Sequence, residues 1–187
     1  DVNDAPDSDD NIFIGYQAGG GNWEDDQSSD NNVGIGNYVM DAVMNGALGN
    51  VATGHNALGA ITTGDYNVGL GIDAGLALTG GDRNVAIGAS ALQGTSNNIT
   101  GVVAVGHSAA GSGNLTTGAN YSVAIGKEAL SALTSGEHNI AIGYQSQDAN
   151  DDGDRNISIG YGTLTTIDQG ESRNIAIGYL AGDSLDN

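Results

Sequence analysis

The chain has 187 residues, 39% of them apolar, enough for one domain with a core of its own. Four Lys and Arg stand against 23 Asp and Glu, a formal charge of -19 that disfavours nucleic acid and anionic membrane as partners. Cys is absent, so there is no disulfide framework, thiol nucleophile or thiolate metal site, and no apolar run approaches the roughly 20 residues of a membrane span.

Residues 1–10 read as an acidic flank, without an initiator Met or a signal peptide, as in a processed or excised segment. From residue 11 a short apolar motif recurs ten times. Asn11-Ile-Phe-Ile-Gly15 is followed by Asn32-Val-Gly-Ile-Gly36, Asn50-Val-Ala-Thr-Gly54, Asn67-Val-Gly-Leu-Gly71 and Asn84-Val-Ala-Ile-Gly88. Then come Val102-Val-Ala-Val-Gly106, Ser122-Val-Ala-Ile-Gly126, Asn139-Ile-Ala-Ile-Gly143, Asn156-Ile-Ser-Ile-Gly160 and Asn174-Ile-Ala-Ile-Gly178. The closing glycines lie 21, 18, 17, 17, 18, 20, 17, 17 and 18 residues apart, a periodicity that predicts a solenoid. The expected fold is an all-β, parallel β-solenoid of about ten coils over 11–182, with a polar C-terminal flank at 183–187.

Within each motif, alternation predicts a strand whose first and third residues share a face. Because these are Val, Ile or Leu almost throughout, they are expected to form the core. The ladder runs through Val85, Ile87, Val123, Ile125, Ile140, Ile142, Ile157, Ile159, Ile175 and Ile177. The second strand position is Gly, Ala or Ser in nine coils, which suits close approach of another chain, or a second wall of the same narrow coil. Three residues after the strand glycine comes a small residue, often followed by Leu, as in Ala57-Leu58, Ala91-Leu92 and Ala129-Leu130, which reads as a second inward-facing segment. Polar, Gly-bearing turns such as Thr62-Thr63-Gly64 return the chain. The Asn that opens eight motifs suits an amide ladder up the stack, or simply a turn. A single coil cannot offset the entropy of ordering its residues, so the coils must stack.

Ser122-Val-Ala-Ile-Gly126 resembles the head repeats of YadA-like trimeric autotransporter adhesins. The longer unit Ala129-Leu-Ser-Ala-Leu-Thr-Ser-Gly-Glu-His-Asn-Ile-Ala-Ile-Gly143 is similar to repeats of bacteriophage tail fibres. The resemblance covers roughly residues 11–182. It implies a left-handed parallel β-roll, trimeric, that works in surface attachment.

Catalysis finds no footing. His55 and His107 share the position after the strand glycine but stand three coils apart, and Gly19-Gly20-Gly21 is no phosphate loop. Asp148, Asn150, Asp152 and Asp154, around Gly153, match the first half of a calcium loop; the bland alternative is a solvated acidic loop. Two more acidic clusters, Asp1-Val-Asn3-Asp4-Ala-Pro6 followed by Asp7, Asp9 and Asp10, and Glu24, Asp25, Asp26 and Asp30 in one loop with Trp23, are of the same kind. Tyr144, Tyr161 and Tyr179 occupy one position in consecutive coils, predicting a ladder of rings that contacts sugar or only stabilises the column.

The expected protein is therefore a non-enzymatic structural or adhesive segment of an extracellular, cell-surface or virion fibre. Its expected partners are its own copies, as a trimer or an end-to-end filament, and a cell-surface glycan or receptor, with no nucleic acid and no membrane insertion. The alternatives are a self-polymerising filament subunit and a calcium-dependent surface- or carbohydrate-binding module.

Overall fold

The computed structural model describes residues 8–21, 28–94, 98–111, 115–149, 152–165 and 170–183. Ten three-residue strands form one parallel sheet in chain order. They are β1 (Ile12–Ile14), β2 (Val33–Ile35), β3 (Val51–Thr53), β4 (Val68–Leu70) and β5 (Val85–Ile87), then β6 (Val103–Val105), β7 (Val123–Ile125), β8 (Ile140–Ile142), β9 (Ile157–Ile159) and β10 (Ile175–Ile177). Each strand pairs with the next in strict register, position on position, as in Val123 with Ile140, Ala124 with Ala141 and Ile125 with Ile142. The β-solenoid expected from the repeat is thus present. Among the described residues the one helical turn is a 3-10 turn at Thr117–Ala119.

Short strands understate the ladder. Coils three and four also exchange bonds away from the sheet: Leu58 N–H to Ala74 C=O at 2.9 Å, Ala60 N–H to Leu76 C=O at 3.1 Å and Thr62 N–H to Thr79 C=O at 2.8 Å. Backbone groups are therefore satisfied coil to coil all round the perimeter, which lets so glycine-rich a chain hold one conformation.

The Asn column adds a side-chain ladder inside the first. Asn67 Nδ2 donates to Asn50 Oδ1 at 3.0 Å and to Gly81 C=O at 2.6 Å, while its Oδ1 accepts from Asn84 N–H at 2.9 Å. The same pattern links Asn11, Asn32, Asn50, Asn67 and Asn84. It resumes where Asn139 Oδ1 accepts from Asn156 N–H and Asn156 Oδ1 from Asn174 N–H, each at 2.9 Å. At Val102 the column carries no side-chain acceptor, and Ser122 restores it by donating to Gly136 C=O and accepting from Asn139 N–H.

The facing of the sheet is the reverse of the expectation. Ala52, Ala104, Ala124 and Ala141, all second-position residues, are 0% exposed, so the small stripe lines the inside of the coil. Val85, Ile87, Val123, Ile125, Ile140, Ile142, Ile157, Ile159, Ile175 and Ile177 face outward, half-buried in the middle of the stack and reaching 71% exposure at Ile175. They are not the core of the chain. The core comes from the other walls. Met40, Leu58, Leu92, Leu130 and Leu164 point inward after five of the ten strands, and Ile61, Leu78, Ile99, Leu115 and Leu133 point inward further round. The interior is too narrow for large side chains from two facing walls, so the strand contributes only small ones.

Glycine placement follows from that volume limit. In β4, Gly69 stands where a Cβ would lie 2.8 Å from Leu58 Cγ of the coil before, and at Gly75 one would lie 2.7 Å from Leu58 Cδ2. Coil one inverts the usual arrangement. Phe13 replaces Ala on the strand, and Gly19 replaces Leu opposite, with a Cβ there only 2.8 Å from the Phe13 ring. The total fill is kept while the large residue changes wall.

The segment after each strand is not a strand. Its second and fourth residues after the glycine are left-handed, as at Asn56 and Leu58 with φ of 55° and 49°, or Glu128 and Leu130 with 60° and 50°. This tight alternation turns the wall and aims every such Leu inward.

Candidate assembly face

Four columns run up the outer side of the sheet. Two are the first and third strand positions, apolar in nearly every coil. They are flanked on one side by the residue before the motif and on the other by the residue after the strand glycine. The flanking residues are exposed in most coils, so the four columns together make one surface as long as the stack.

The flanking columns hold an unexpected concentration of charge. Arg83, His138, Arg155 and Arg173 stand just before their motifs, and His55, His107 and Lys127 just after their strand glycines. These are all of the chain's 4 Lys and Arg and all 3 His. Across the same two columns the acids are reduced to Asp10, although the chain carries 23. Reading the strands alone missed this; superposing the ten repeats column by column brings it out.

Aromatic rings fill much of the remaining flank. Tyr144, Tyr161 and Tyr179 stack with centroids 5.1 and 5.3 Å apart and planes within 16° and 17°. The predicted ladder therefore forms. Stacking turns the ring faces toward one another, so solvent meets edges and hydroxyls, and Tyr179 keeps one open face at the end of the row. Lys127 continues the row, its Nζ 5.4 Å from the Tyr144 centroid. It also pairs with Glu128 at 3.1 Å, which raises the Lys127 ammonium pKa and lowers that of the Glu128 carboxyl. On the opposite flank the Tyr66 ring lies over Gly49, with Arg83 5.8 Å above it, and Tyr121 covers Gly101 and meets His138 at 5.4 Å. Tyr16, Tyr38 and His55 meet edge to face at 5.5 Å.

The proposed calcium loop has other employment for its described carboxylates. Asp154 Oδ1 accepts from Glu137 N–H at 2.9 Å, with Oδ2 3.6 Å from Arg155 Nη1, and Asp152 Oδ1 accepts from Gly170 N–H. Burial pushes the Asp148 carboxyl above its usual range, and its backbone C=O accepts from Ala132 N–H. Asn150 lies outside the described residues, as do Asp1, Asn3, Asp4, Asp7, Trp23, Glu24, Asp25 and Asp26. Among the described residues no three His, Asp or Glu side chains are grouped to hold a metal ion.

One polar cluster sits inside the coil. Ser146 Oγ donates to Ser158 Oγ at 2.7 Å, and Gln147 Nε2 donates to Asn139 Oδ1 at 3.2 Å. Ser158 Oγ in turn lies 3.4 Å from Gln147 Oε1. Its members are buried and bonded to one another, so it fixes packing in coils eight and nine rather than facing a ligand. In comparisons with known proteins, no family model, no curated protein and no solved structure matches the chain.

Proposed function

We propose that this chain is a structural, adhesive segment of an extracellular or virion fibre, whose copies associate side by side through the outer face of the sheet. The observation that carries this reading is the outward orientation of the Val and Ile rows. Nine rung spacings of ~4.8 Å by a strand about 10 Å wide give an apolar strip on the order of 400 Å². Such a strip is as large as the largest patch on an ordinary monomer, before its aromatic flanks are added.

Charge favours another copy as the occupant. Two chains of -19 repel wherever their acidic surfaces approach. The outer face is where acids are scarcest and where every basic side chain is gathered, so it is the side on which two copies approach at least cost. The likeness of the repeat to adhesin-head and tail-fibre units points the same way, toward a trimer. Attachment to a surface glycan or receptor belongs to the same proposal. The aromatic edges and hydroxyls of the Tyr144, Tyr161 and Tyr179 row suit it where the row stays uncovered.

Solution mass tests the assembly. The wild-type chain is expected to sediment as an oligomer at micromolar concentration. Ile125→Asp with Ile142→Asp should yield a folded monomer with the wild-type far-UV circular dichroism. A wild-type monomer at tens of micromolar, or a double variant that keeps the oligomer mass, overturns the reading.

A further inference from the structure

The basic side chains of the outer face are divided between its two flanking columns by a rule. In no coil are the residue before the motif and the residue after the strand glycine both basic. Coil seven has Tyr121 with Lys127, coil eight His138 with Tyr144, coil nine Arg155 with Tyr161 and coil ten Arg173 with Tyr179. Coil five has Arg83 with Ala89. In coils three and six the counterparts of His55 and His107 are Gly49 and Gly101, and over each of those glycines lies a ring from the next coil, Tyr66 or Tyr121. Every basic side chain except Arg83 thus has a ring at its own level on the opposite flank, and all of them are exposed.

Within one copy these counterparts stand apart. The strand and the two outward apolar rows lie between them, six residues of extended chain or roughly 20 Å at ~3.3 Å per residue. Between copies they are brought together by one kind of symmetry. All ten strands cross the outer face in the same direction. When copies surround an axis parallel to the stack, the column where strands begin on one copy meets the column where strands end on its neighbour, each coil against the same coil. A twofold axis lying across the stack instead sets beginning against beginning, with the coil order reversed.

We infer that the two flanks are complementary halves of one clasp, which makes neighbouring copies lie parallel and in register. The inference rests on the lateral association proposed above and adds its polarity and its register. Tyr161 is stacked on both faces, by Tyr144 and Tyr179, so it offers its hydroxyl, and a guanidinium N–H of the next copy's Arg155 donates to that oxygen. Arg155 pairs with Glu137 and Asp154 in its own copy, and five N–H donors leave it enough for both roles. His138 and Arg173 meet Tyr144 and Tyr179 of the neighbour in the same way.

Other alignments match less well. Slipping one coil sets Arg83 against His107 in one direction and His138 against Lys127 in the other, a basic group on a basic group. The reversed packing joins Asp10 to Arg173, but it sets Arg155 against Asn31 and Lys127 against Ile72. It keeps a single direct pair of basic residue with Tyr, His55 with Tyr144, in place of the four in coils seven to ten. A clasp between two different edges closes into a ring when the rotation between copies closes.

The chain's lack of Cys makes polarity directly measurable. Arg83→Cys with Ala89→Cys marks both flanks of coil five and leaves coils seven to ten untouched. A bismaleimide too short to span the strand is expected to link residue 83 of one copy to residue 89 of the next. The products should end at a covalent closed ring, with no higher multimers on a denaturing gel. Links of 83 to 83 or 89 to 89, or none at all in a chain that sediments as an oligomer, overturn the parallel clasp and leave the lateral association standing. A wild-type monomer at tens of micromolar sinks both. Register is read from one substitution made twice in the same column. Tyr161→Lys places an ammonium against the neighbour's Arg155 and should raise the dissociation constant of the oligomer at least tenfold. Tyr16→Lys places it against Asp10 and should not weaken assembly. Equal effects of the two, in either direction, overturn the in-register pairing.

Discussion

Replacing Asn67 by Ala is expected to destabilise the middle of the stack far more than an ordinary polar-to-Ala change. Two backbone groups, Asn84 N–H and Gly81 C=O, have the Asn67 side chain as their partner, at 2.9 and 2.6 Å, and both residues are buried. The substitution leaves each without that partner, at about 1–3 kcal/mol apiece, so the expected loss is roughly 2–6 kcal/mol. The chain supplies its own control. Ser122 fills the same column and performs both tasks with one hydroxyl, accepting from Asn139 N–H at 3.1 Å and donating to Gly136 C=O at 3.3 Å. Asn67→Ser should therefore recover more than half of the loss. Urea unfolding followed by far-UV circular dichroism measures the global effect. Hydrogen exchange at the Asn84 amide measures the local one, which matters because a solenoid can open a few coils at a time. If Asn67→Ala stays within about 0.5 kcal/mol of wild type, the range of an inert surface change, the ladder is not a source of stability. If Ser proves no better than Ala, the hydrogen-bond account is wrong even if the loss is real.

Three other perturbations probe the inside, the outside and the charge. Ala124→Arg puts a charged chain into the coil interior and should abolish the cooperative melt, whereas Ile125→Asp, one residue on and outward-facing, should melt within a few degrees of wild type when both are compared at high dilution. Gly69→Ala is expected to cost about 1–3 kcal/mol by overpacking against Leu58, and Leu58→Ala about 2–5 kcal/mol by opening a cavity; denaturation of the double variant should show less than the sum. Burial raises the Asp41 and Asp148 carboxyl pKa values, so the folded chain binds protons more readily than the unfolded one at these sites. Their contribution to stability should grow as pH falls from neutrality toward the ordinary carboxylate range and be lost as pH rises through the folded values. Melting curves should show that trend, and it should flatten in Asp41→Asn with Asp148→Asn.

The repeat, the strand positions and the Asn column were all legible in the sequence because each depends on local spacing. Alternation correctly grouped Val123 with Ile125 on one face and left Ala124 on the other. It carries no information on which of those faces lies inside. Hydrophobicity was used to decide that, and it misled, because the interior volume is shared with the opposite wall. Leu130 already fills the space that Ile125 would need. The usable signal was the pairing of a small strand residue with a following Leu, and its reversal in coil one, where Phe13 on the strand goes with Gly19 opposite. The left-handed turn escaped for a different reason. Leu58, Leu92 and Leu130 are poor indicators of positive φ, and the residue that gives the column away is glycine, at Gly19, Gly75 and Gly182. The calcium expectation rested on spacing along the chain, which does not show that the repeat also sets Asp152 and Asp154 against backbone N–H groups of neighbouring coils.

On the proposed reading, an inverted sheet of this kind couples the fold to assembly. In a monomeric solenoid the outward strand positions would be expected to carry Thr, Lys or Glu, which tolerate water and discourage association. Here they carry β-branched aliphatics rung after rung, while a chain with 23 acids keeps all but Asp10 out of the two adjoining columns. Neither choice serves the interior, which Ala, Leu and Met fill without them and where, among the described residues, only Asn45 Oδ1 and Asn174 Nδ2 are buried side-chain polar atoms without a hydrogen-bond partner. Two separate regularities, one in hydrophobicity and one in charge, thus converge on the same surface without any demand from the coil's own packing. That convergence is the support for the proposed burial of this surface against further copies.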